Sequence, residues 1–118
     1  MKNSKGANIS RRIKALLEAF GVSEKVLAKM LRVSESSVKR WKNDVGTGRA
    51  DGLYTLTLLE KIAKQARKTF EKKSVSGWFN RENACLGGLS PVQYIIKKQD
   101  GYQQVRNFLG QIEWGIIS

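Results

Sequence analysis

Apolar residues recur at helical spacing twice between Ser23 and Trp41, with a short polar interruption between the two runs. Val26, Leu27, Met30 and Leu31 form the inner face of one predicted helix, with Ser23 as its N-cap. Val38 and Trp41, three residues apart, form the inner face of a second, from Glu35 to about Lys42, capped by Ser34. Ala28 supplies the small side chain needed where two helices cross closely, and Val33 fills the turn between them. At 3.6 residues per turn, Ser36, Lys39, Arg40 and Asn43 fall opposite Val38 and Trp41, on an outward polar face.

The pattern extends in both directions. Residues 1–9 are polar and predict a loose arm. Ser10 then opens a helix to Phe20, with Ile13, Leu16, Leu17 and Phe20 inside and Gly21 as its stop. Three glycines and two aspartates from Asn43 to Gly52 predict a linker or long turn. From Leu53 to about Lys73 a single long amphipathic helix is expected, with Leu56, Leu59, Ile62, Ala63, Ala66 and Phe70 as its stripe. Lys61, Lys64, Arg67, Lys68, Lys72 and Lys73 populate the rest of it and read as a solvated basic face rather than a second nucleic-acid contact. The stripe also offers a seam for a dimer.

A short helix follows, ending near Trp78 and Phe79, then a turn with Asn83 and Gly87-Gly88. Ser90 and Pro91 are the cap and first residue of a helix to about Lys98. Gly101 starts a last helix with Val105, Phe108, Leu109 and Ile112 on one face. Gly115 closes it, leaving the apolar tail Ile116, Ile117 and Ser118. The expected fold is all-α: a helix-turn-helix unit over 1–50, a connecting helix over 51–73 and a small helical domain over 74–118.

Composition narrows the function. The 118 residues hold 22 Lys and Arg against 10 acids, a net charge of +12. Residues 1–50 carry 12 of those cations and 4 acids, the remainder 10 and 6, so the excess lies with the helix-turn-helix, as phosphate contact requires. Histidine is absent, which removes the commonest general base and metal ligand. No carboxylate pair replaces it, and Gly46, Gly48, Gly87 and Gly88 fit no nucleotide-binding fingerprint. The chain reads as a non-enzyme without cofactor or metal. Cys85, the only cysteine, cannot form an internal disulfide and is expected as a small buried hydrophobe. No run of 18 apolar residues occurs, and Lys2, Lys5, Arg11, Arg12 and Lys14 interrupt the start, so a cytoplasmic protein without membrane contact is expected.

Leu27, Ala28, Leu31, Val33, Val38 and Trp41 resemble the helix-turn-helix of Xre-type repressors. Arg32 departs from it, standing where a left-handed glycine is usual, at a cost of about 1 kcal/mol. The resemblance implies binding of double-stranded operator DNA by a homodimer. Ser36, Lys39, Arg40 and Asn43 would lie in the major groove, Arg32 and Lys42 on phosphates, with Ser34 and Ser37 at the same helix start.

The rear half, through Trp78, Asn83, Leu86, Gly88, Pro91, Gly101, Val105, Leu109, Ile112 and Gly115, resembles the toxin-binding domain of Xre/MbcA/ParS antitoxins. Glu82 departs from it, where a proline is common. That resemblance implies a RES-domain, NAD-consuming toxin as partner, an obstructed toxin active site and autorepression. The toxin-binding candidates are Trp78, Asn83, Gly115, Ile116, Ile117 and Ser118, although the tail could equally fold onto the core or join a dimer. The alternative is a stand-alone repressor whose rear half only dimerises.

Overall fold

The computed structural model describes residues 5–43 and 50–115, with side chains from Ile9 in the first stretch and from Gly52 in the second. These residues form seven α-helices and no strand, in agreement with the all-α expectation. In order they are α1 Lys5–Phe20, α2 Glu24–Leu31, α3 Glu35–Lys42, α4 Ala50–Thr69, α5 Lys72–Asn80, a 3-10 turn Ala84–Leu86, α6 Pro91–Lys97 and α7 Gly101–Glu113.

The helix pair α2–α3 falls where its apolar spacing and caps put it. Ser23 Oγ accepts from the Val26 amide at 3.2 Å and Ser34 Oγ from the Ser37 amide at 3.1 Å, each capping an amide of the first turn. Arg32 sits between them at φ 64°, the left-handed conformation that the turn demands. The first helix starts earlier than expected. Ile9 is buried and anchors the extra turn, while Ser10 is no cap and instead donates its hydroxyl to the Lys42 carbonyl. Of the expected arm and linker, residues 1–4 and 44–49 lie outside the described residues.

One apolar cluster joins both halves of the molecule. Phe20 from α1, Leu27 and Met30 from α2, Leu56, Leu59 and Ile62 from α4, Phe79 from α5, Ile95 from α6 and Leu109 from α7 all belong to it. The axis of this core is α4, which packs most extensively on α7 and also meets α1, α2 and α5. Its first turn lies on α3, where a Cβ on Gly52 would come 2.8 Å from the Trp41 ring. Leu56, Leu59, Ile62, Ala63 and Ala66 are all fully buried within the chain, so this stripe is not a dimer seam.

Two further expectations are corrected, and one is deepened. The single helix over Leu53–Lys73 is two helices, broken at Phe70 and Glu71. No proline or glycine marks the break; it lets Phe70 and Trp78 stack across it at 5.1 Å while Phe79 reaches Phe20 at 4.3 Å. Cys85 is exposed rather than buried, because Leu86 alone of the 3-10 turn points into the core. Gly101 does more than break a helix. A Cβ there would stand 2.6 Å from both the Ile95 Cα and the Tyr94 carbonyl, so α7 approaches the end of α6 closer than any side chain permits.

Candidate functional site

Two surfaces carry the residues that the sequence singled out. On α3, Ser36, Lys39, Arg40 and Asn43 are all exposed, with Val38 and Trp41 buried behind them. Ser34 Oγ lies 3.1 Å from Ser36 Oγ and 2.9 Å from Ser37 Oγ, so these hydroxyls form a local network around the helix start. Arg40 reaches the Ser37 hydroxyl at 3.3 Å, and Lys39 faces Glu35 one turn back at 3.7 Å. Both bonds are long and exposed, of the kind that contribute less than about 1 kcal/mol and exchange readily for a phosphate or a base edge.

The two other cations expected on DNA, Arg32 and Lys42, are held by partners within the chain. Arg32, expected on a phosphate, donates through one guanidinium nitrogen to the Ile95 carbonyl at 2.9 Å and the Lys98 carbonyl at 3.1 Å. Its charge also lies 4.9 Å from the centre of the Tyr102 ring. Tyr102 in turn donates its hydroxyl to the Met30 carbonyl, which ties α7 to α2. Burial raises the Tyr102 pKa, opposed by the nearby Arg32 charge. The left-handed arginine is thus compensated by two carbonyls at the end of α6, of which that of Lys98 also accepts from the Gly101 amide. Lys42, also expected on a phosphate, is paired with Glu24 at 2.6 Å and holds that carboxyl below its usual range. Behind them, Arg12 makes a two-pronged pair with Glu60 at 2.8 Å, and that hydrogen bonding raises the Arg12 pKa.

On the opposite half, Trp78 and Asn83 line one small concavity with Phe70, Arg81, Glu82, Phe108 and Ile112, about 250 Å³ in volume. Trp78 does not project from it. The ring is 9% exposed and packs near Phe70, Phe79 and Phe108, with centroids 5.1, 5.2 and 6.0 Å away, so it forms the floor. Asn83 shapes the rim: its side chain accepts from the Cys85 amide at 3.0 Å, and its own amide and carbonyl bond Leu89 and Gly88. Gly115 is exposed at φ 74° beyond the end of α7, while Ile116, Ile117 and Ser118 lie outside the described residues. The sequence reading missed Trp114, which is 81% exposed at the end of α7. The helical wheel already pointed to it, since position 114 falls away from the Val105, Leu109 and Ile112 face. Among the described residues no group of acids and cysteine could hold a metal, and no helix is long and apolar enough to cross a membrane.

Residues 65–115 match the family model described as the antitoxin Xre/MbcA/ParS C-terminal toxin-binding domain. Residues 65–115 therefore carry that toxin-binding domain. The matched segment contains the whole Trp78–Asn83 concavity and the end of α7, and leaves α2 and α3 outside it. The chain is 28% identical over 91 residues to a probable mycobacterial cidal antitoxin of Mycobacterium tuberculosis, spanning 77% of this chain and 76% of that protein. Its fold matches a chain of the crystal structure of the M. tuberculosis MbcT–MbcA toxin–antitoxin complex with a TM-score of 0.70. That match covers 92% of this chain and 96% of the other at 16% identity.

Proposed function

We propose that the chain is an antitoxin that neutralises a RES-domain, NAD-consuming toxin by obstructing its active site, and represses its own operon by binding operator DNA through α2 and α3. The match of residues 65–115 to a toxin-binding domain carries this reading, and the likeness to a chain from a toxin–antitoxin complex supports it. The toxin contact is assigned to the concavity around Trp78 and Asn83 together with the segment from Gly115 through Ile116, Ile117 and Ser118. An apolar pocket of aromatic floor and charged rim suits one inserted side chain, burial of which contributes about 1.5–3 kcal/mol.

The DNA half of the reading rests on the outward Ser36, Lys39, Arg40 and Asn43, with Ser34 and Ser37 at the helix start. Arg40 to guanine and Asn43 to adenine are the pairings able to read a base edge. A homodimer would set two such helices one duplex turn apart. Residues 1–50 then serve DNA, 51–73 connect and 74–118 bind the toxin, in a cytoplasmic, non-catalytic protein. Co-purification with the product of the adjoining reading frame, with NAD turnover assayed before and after, tests the inhibitory role. The expected result is a stable complex with NAD consumption suppressed; a complex that turns over NAD at the free toxin's rate refutes inhibition.

A further inference from the structure

Free positive charge lies on α4 as well as on α1 and α2, where Arg11, Lys14, Lys25 and Lys29 are exposed without ion pairs among the described residues; on α4 it converges on one groove. Lys61, Lys64 and Lys68 are exposed at helical spacings of three and four, and none forms an ion pair among the described residues. They line one groove of about 310 Å³ with Arg106 from α7, whose buried Nε has no hydrogen-bond partner among the described residues. Glu113 is the one acid in that lining. Around the helix, Arg67, Lys72 and Lys73 are likewise exposed and without ion pairs among the described residues. By contrast Arg12, Arg32, Lys39 and Lys42 all have partners within the chain.

We infer that the groove of Lys61, Lys64, Lys68 and Arg106 binds the phosphate backbone of duplex DNA without regard to sequence, and that it adds about three phosphate contacts to the salt-dependent affinity of the chain for DNA. What sets these lysines apart from a merely solvated face is the company they keep: four cations converge on one groove with a single carboxylate. A protein partner fits it less well. Protein interfaces are depleted in lysine and built on aromatic anchors, and neither exposed large apolar side chain, Tyr54 or Trp114, lines this groove. Lysines are point charges suited to a line of phosphates spaced about 1.7 Å per charge along the duplex axis. The groove lies about 14 to 24 Å along α4 from Gly52, where that helix meets α3, at about 1.5 Å per residue. It is therefore a surface distinct from the exposed face of α3.

This inference rests on the DNA-binding half of the proposed function, and one experiment separates the two. Binding of the full chain to a random-sequence duplex is measured across a salt series for the wild type and for the triple substitution Lys61→Gln, Lys64→Gln and Lys68→Gln, which keeps good helix formers at exposed positions. Loss of three phosphate contacts should make the slope of log K against log salt shallower by about 2.7 and weaken binding at every salt concentration. A triple variant with the wild-type slope overturns the inference while the DNA reading stands. If that variant also fails to capture the toxin, the groove serves an acidic protein instead, which overturns it equally. A wild-type chain with no duplex binding at all overturns both.

Discussion

The helix-turn-helix unit and the α4 region hold similar chemistry and use it in opposite ways. Residues 1–50 contain 12 Lys and Arg to 4 acids, against 10 to 6 over the remainder, so the front of the chain is the more basic by composition. Folding commits part of that charge, although Arg11, Lys14, Lys25 and Lys29 stay exposed without ion pairs among the described residues. Glu24 and Glu35 neutralise Lys42 and Lys39, Glu60 reaches across from α4 to Arg12, and carbonyls at the end of α6 hold Arg32. On α4, no acid follows Glu60, and the lysines and arginine of its last turns face water. Segment charge therefore locates a polyanion surface poorly, because a charge acts on a partner only after its own neighbours have been counted. Strength matters as well as number: the 3.7 Å contact of Lys39 is easily surrendered, whereas Arg32 would have to abandon two carbonyls and an aromatic ring at once.

The contrast is one of surface, laid over a shared core, and the largest expected effect tests that sharing. Phe79 is fully buried against Phe20 of α1 and Trp78 of α5, so Phe79→Ala should cost about 3–5 kcal/mol. Denaturant unfolding followed by far-ultraviolet dichroism and by tryptophan fluorescence should shift as one transition; separate transitions, only one of them moved, would mean that the two regions fold independently. A smaller effect sharpens the division of labour. Arg40→Ala should lose about 1–3 kcal/mol on the cognate operator and little on random DNA. Equal losses on both would make α3 another backbone contact and erase its difference from the α4 groove.

The smallest effect concerns whether Lys42 is truly committed. The hydrogen bond from Lys42 holds the Glu24 carboxyl below its usual range. The unfolded chain therefore takes up that proton first as pH falls. The pair's contribution is present above the ordinary glutamate pKa of about 4.3 and is lost as pH drops through the lower folded value. Glu24→Gln should flatten that part of the acid limb, read as urea midpoints at about pH 6 and about pH 3. An acid limb unchanged by the substitution would leave Lys42 free and make the front of the molecule more like α4.

Much of this was legible from residue spacing. The bounds of α2 and α3, both serine caps, the left-handed Arg32, the capped α6 and the start of α7 at Gly101 follow from local rules about which side chains satisfy or strain a turn. The break between α4 and α5 was not legible, since no residue there forbids a helix; the separate packing of Phe70 and Phe79 imposes it. Cys85 misled for a related reason. Its composition favours burial, but a three-residue turn can send only one side chain inward, and Leu86 takes that place. Trp78 and Asn83 were marked as a surface pair, and they do share a concavity, yet as its floor and its rim support.

Sequence alone determined the helical class, the outward polar face of α3 and the resemblance of both halves to antitoxin parts, because periodicity and capping act between residues a few positions apart. Only the tertiary structure decided which cations are held by distant partners. Arg32 meets carbonyls more than sixty residues away and Arg12 meets an acid forty-eight residues on. Partners so distant in the chain leave no trace in local spacing, since they come together only when the apolar faces of α1, α2, α4 and α7 close on a common core.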